Sequence, residues 1–124
     1  MDRATLLMVE DEVGLHDLYR TVLESEGYTI LEARDGVEAV ELYKQFRNII
    51  SLVVVDLGLP RLDGREVFER IRRLNTDAKV IFVSGYGNKK LAADLRDAGG
   101  REFIEKPYVL RDFLRIIRET VRGD

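Results

Sequence analysis

Ser51-Leu52-Val53-Val54-Val55-Asp56-Leu57-Gly58-Leu59-Pro60 places four apolar residues, three of them valine, directly before an acid. A strand with one wet face alternates apolar and polar side chains. An unbroken β-branched run is the pattern of a strand buried on both faces, as in a parallel sheet covered by helices. Val80-Ile81-Phe82-Val83 repeats it. Working outward, five short apolar runs read as strands, at residues 4–9, 28–33, 51–55, 79–83 and 101–104.

Between the runs the period changes to that of a helix. Leu15, Leu18, Tyr19, Val22 and Leu23 follow the spacing of one buried stripe, and Gly27 stops that helix. A second segment, residues 37–46, buries Ala39, Leu42, Tyr43 and Phe46, with Asp35 as cap and Glu38 three residues on. The third repeats the device with Asp63 and Glu66 before the stripe Val67, Phe68, Ile71 and Leu74. A weaker segment runs from about residue 89 to 98 and ends at Gly99 and Gly100; a stronger last one carries Leu110, Phe113, Leu114, Ile117 and Val121.

Five strands, each followed by a helix, require right-handed crossovers and a parallel sheet with helices on both faces. Five units are too few for an eight-fold barrel. The expected fold is therefore a single α/β domain over residues 1–124, a doubly wound, flavodoxin-like five-stranded sheet in the order 2-1-3-4-5. Its binding crevice lies beyond the carboxyl ends of the first and third strands, where the order reverses.

Composition narrows the function. At 124 residues, 45% hydrophobic and 35% charged, the chain has the make-up of one globular domain. A net charge of -3 gives no global positive field for nucleic acid or an anionic membrane. The absence of cysteine removes disulfides and thiolate chemistry and agrees with a cytoplasmic location. No segment has the apolar length of a signal peptide or a membrane span.

The polar residues met at the strand ends are Glu10 and Asp11 after the first, Asp56 after the third, Ser84 after the fourth and Lys106 after the fifth. Three carboxylates gathered at a switch point repel one another, so a cation is required. Oxygen donors without His or Cys favour magnesium. Glu10, Asp11 and Asp56 therefore form the expected Mg2+ cradle, with a backbone carbonyl from Gly58. Lys106 and the Ser84 hydroxyl would meet the remaining oxygens of a phosphoryl group, making this a phosphoryl-transfer site with Asp56 as acceptor.

Taken together, Val9-Glu10-Asp11, the VVVDLGLP of residues 53–60, Asp63-Gly64, Val83-Ser84-Gly85 and the FIEKP of residues 103–107 resemble the receiver domains of two-component response regulators, over essentially the full length. The resemblance implies that Asp56 takes a phosphoryl group from a phosphohistidine on a histidine kinase or phosphotransfer protein. It also implies that Glu10 and Asp11 organise Mg2+, that Lys106 binds the phosphate, and that Ser84 and Phe103 are the switch residues. The wording SGYG and EKPY is similar to receivers of hybrid histidine kinases, and no output domain follows residue 124 in the sequence at hand.

Two other functions compete. A magnesium-dependent phosphohydrolase of the haloacid-dehalogenase type needs a second Asp two residues after the first, and Gly58 stands there. A receiver-like interaction module without phosphate flux would not require Glu10, Asp11, Asp56, Ser84 and Lys106 together. The expectation is a phosphoacceptor rather than an enzyme. His16, the one histidine, reads as a solvated helix residue. Lys89, Lys90, Arg111, Arg115 and Arg118 are interleaved with acids and read as mixed surface rather than a nucleic-acid footprint.

Overall fold

In the computed structural model, residues 4–10, 13–57, 63–84, 93–95, 97, 102–105 and 109–123 are described. The strands are β1 (Thr5–Val9), β2 (Thr29–Ala33), β3 (Ile50–Asp56), β4 (Val80–Ser84) and β5 (Glu102–Glu105). The helices are α1 (Val13–Ser25), α2 (Gly36–Phe46), α3 (Gly64–Leu74) and α4 (Leu110–Arg122). Of the weak segment expected at 89–98, residues 93–95 and 97 are helical and the others lie outside the described residues.

The strands form one parallel sheet in the order β2-β1-β3-β4-β5. The valine run explains itself in this setting. Val53 and Val55 face a core with Tyr43, Val67, Phe68 and Ile71 from α2 and α3. Leu52 and Val54 face a second core with Tyr19, Leu23, Phe113 and Ile117 from α1 and α4. Successive residues thus serve opposite faces, as the pleat requires, and from Leu52 on neither face of β3 is wet.

Local chemistry sets the helix ends. Asp35 and Asp63 cap α2 and α3, accepting from the backbone N–H of Glu38 (2.8 Å) and Glu66 (3.1 Å). After α1, Gly27 takes φ 94°, its N–H reaches Glu24 O and that of Tyr28 reaches Leu23 O. This is a Schellman closure, which needs a residue tolerant of the left-handed region.

The helix stripes differ from expectation in two places. In α1 the inward positions are His16, Tyr19 and Leu23, while Leu18 is 52% exposed. In α4, Phe113 and Ile117 are buried but Leu110 is 45% exposed. Leu110 is the first residue of α4, a turn beyond the part of the helix that meets the sheet. β3, β4 and β5 also each run one residue further than expected, because the ladder continues through the backbone whatever the side chain: Leu57 N–H still donates to Val83 O at 2.8 Å.

Candidate functional site

The carboxyl ends of β1, β3 and β4 bring three of the sequence-expected residues to one rim. Val9 is in register with Val55, so the next residues, Glu10 and Asp56, stand side by side where the strand order reverses. Asp56 closes β3 opposite Val83, and Ser84 closes β4 opposite Glu105. Lys106 is next in sequence after Glu105. Asp11, Gly58 and Lys106 lie outside the described residues; Phe103 sits in β5 opposite Phe82, its side chain likewise outside the description.

Burial makes this rim unusual. Glu10 is 0%, Asp56 2% and Ser84 6% exposed. Carboxylates withdrawn from water need partners or a cation to offset the cost of burial, and two of them at one rim are candidates for holding a cation. The donor set is all oxygen, with no cysteine in the chain, which suits a hard divalent ion such as Mg2+. Among the described residues no group of three or more His, Cys, Asp or Glu gathers as a metal cluster; the third expected acid, Asp11, is not among them.

The backbone around the two acids is held tightly. Glu10 N–H donates to Ala33 O at 2.9 Å. Beyond Asp56, Leu57 is pinned from both sides, by its N–H bond to β4 and by α3, whose Gly64 leaves space for the leucine side chain. A Cβ on Gly64 would lie 2.1 Å from Leu57 Cδ2, closer than any real contact. The Asp63-Gly64 pair thus has two local duties, a helix cap and a seat for the residue after Asp56.

His16 corrects the sequence reading. It is 4% exposed rather than solvated, its Nε2 donates to the backbone carbonyl of Glu10, and its Nδ1 stands 3.0 Å from Glu32 Oε2. Glu32, on β2 opposite Met8, also pairs with Arg20 through Oε1. The helical spacing 16, 19, 23 was the available signal. The partners that make a buried imidazole tolerable come from other elements and leave no local mark.

Of the basic residues on α4, Arg115 pairs with Glu119 one turn on at 3.2 Å, in line with a mixed surface. Among the described residues no helix is long and apolar enough to cross a membrane.

A family model described as the response regulator receiver domain matches residues 6–118. The chain is 35% identical over 118 residues to the sensor kinase CckA of Brucella abortus, covering 95% of this chain and 12% of that protein. It is 29% identical to the chemotaxis protein CheY of Bacillus subtilis, covering 94% of this chain and 96% of that one. Among solved structures, the CheX-CheY-BeF3-Mg2+ complex from Borrelia burgdorferi contains a chain 31% identical to this one, with a TM-score of 0.84 over 94% of this chain and 87% of that one. The chain therefore spans nearly all of one relative and about an eighth of another.

Proposed function

Because this chain belongs to the response regulator receiver domains, the phosphoacceptor modules of two-component phosphorelays, we propose that Asp56 is its phosphoryl acceptor, with Glu10, Asp11 and the Gly58 carbonyl completing a Mg2+ site. The observation that carries this reading is the register that sets two fully buried carboxylates, Glu10 and Asp56, side by side at the switch point of the sheet. The family is one of signalling phosphoacceptors rather than of enzymes with turnover.

In the proposed reaction a carboxylate oxygen of Asp56 attacks phosphorus of a phosphohistidine. The O–P bond forms, the P–N bond breaks, and the imidazole leaves with the bonding electron pair. Bound Mg2+ supplies charge neutralisation between the entering phosphoryl group and the acidic pair. Lys106, following β5, contributes a positive charge to the phosphoryl oxygens, and the Ser84 hydroxyl a hydrogen bond. Movement of Ser84 toward the new group, with Phe103 following in β5, then changes the face offered to a partner.

The donor is a histidine kinase or a phosphotransfer protein, acting in the cytoplasm on residues 1–124 as one domain. The likeness to a sensor kinase, together with the SGYG and EKPY wording, supports a place within a hybrid kinase. The likeness to CheY over nearly its whole length supports an independent receiver. Immunodetection of the full-length gene product, by its mass, separates the two.

Addition of Mg2+ with beryllofluoride or acetyl phosphate is expected to shift amide resonances at Ser84 and around Lys106, and Asp56→Asn to abolish the response. Shifts retained in Asp56→Asn, or none in the native protein, would overturn the assignment.

A further inference from the structure

We propose that His16 is a positioning residue that fixes Glu10 for magnesium binding, an inference that rests on the reading of Glu10 and Asp56 given above. Glu10 lies one residue past the end of β1, where the sheet no longer dictates the path of the chain on its own. Both of its backbone polar groups are nevertheless held. The N–H donates to Ala33 O of β2 at 2.9 Å, and the carbonyl accepts from His16 Nε2 of α1. The carboxylate of Glu10 thus projects from a main chain fixed on two sides.

The ring also has an acidic neighbour. Its Nδ1 lies 3.0 Å from Glu32 Oε2 without hydrogen-bond geometry, and Glu32 pairs with Arg20, one turn after His16 on α1. Among the described residues this relay of contacts runs from α1 to β2 and back to α1, and His16 Nε2 joins it to the Glu10 carbonyl at the acidic rim. Packing alone does not account for it. Position 16 belongs to the inward stripe with Tyr19 and Leu23, where an aliphatic side chain would fill the space without the cost of burying an imidazole. The hydrogen-bonded ring is what the position gains.

Ligands of a metal must be held to within a fraction of an ångström, and groups that orient them from behind typically change metal affinity ten- to a hundredfold when removed. His16 acts through the main chain of Glu10, so the lower end of that range applies.

The test is titration of the intact protein with Mg2+ alone, followed by amide chemical shifts, with no phosphoryl donor present. His16→Leu is expected to raise the dissociation constant about tenfold. His16→Gln, which keeps an N–H donor of similar reach, recovers most of the affinity. Leu23→Ala, which loosens α1 two stripe positions away without touching the relay, stays within about twofold of the native value. An unchanged dissociation constant in His16→Leu, or an equal loss in Leu23→Ala, overturns the inference. Should His16→Leu not fold, Glu32→Ala carries the test: a loss of the same sign supports the relay and unchanged affinity overturns it. Native protein that binds no Mg2+ at all removes the underlying reading of Glu10 and Asp56, an outcome distinct from native binding that His16→Leu shares.

Discussion

Tyr28 follows the Gly27 turn and packs beside the core under α1 and α4. Burial pushes its phenol above the ordinary value of 10.0, with Glu26 adding to the rise and Arg118 and Arg122 opposing it. The folded state therefore holds the proton more tightly than the unfolded chain. The resulting stability is complete below the unfolded value and is lost as pH climbs through the higher folded one. Urea midpoints measured on either side of pH 10 are expected to fall with rising pH, and Tyr28→Phe to remove part of that fall. Gly64 offers a second test at this scale. Gly64→Ala drives a methyl into Leu57 and is expected to cost about 1–3 kcal/mol by overpacking; its amide shifts should spread to Asp56. Such residues differ in how much of their role can be read from sequence. Asp56 and Glu10 stand out because a charge directly after an apolar run ends on the rim of a buried sheet. His16 does not, since an inward polar ring depends on acceptors brought by β1 and β2.

Among the elements, α4 is closed by a cation from outside itself. Lys79 Nζ, just before β4, donates to Thr120 O at 3.1 Å, which also accepts from Gly123 N–H, and to Val121 O at 3.4 Å, meeting the negative end of the helix. Lys79→Met should destabilise the fold by about 1 kcal/mol, read as a lower thermal midpoint, with amide exchange accelerated in the final turn of α4. This contact joins residues more than forty positions apart, so no window of sequence displays it. Helix starts are different: Asp35 and Asp63 act within three residues of themselves, and both caps were legible. Stripes were legible only as periods. Spacing groups Leu18 with Tyr19 and Leu23 as readily as it groups His16 with them, and the direction of the sheet decides between them. Asp11, Gly58 and Lys106 remain sequence-based assignments.

For the whole molecule, the two cores on opposite faces of one sheet hold the acidic pair in place. Asp56→Asn removes one of the two buried acids proposed to hold Mg2+. Free Mg2+ at a hundred times its dissociation constant should then raise native stability by about 2.7 kcal/mol and that of the variant by less. Denaturant melts of both proteins with and without the ion check this. The parallel strands also give the molecule two unlike ends. Glu10, Asp56 and Ser84 occupy the rim where strands finish, whereas the rim where strands begin holds structural closures such as Asn75 to Tyr43. The seven residues of β3 separate the rims by roughly 20 Å. A dye, surface tether or fused partner attached at the exposed Thr76 would therefore leave the chemistry undisturbed, giving the domain a natural handle for single-molecule work.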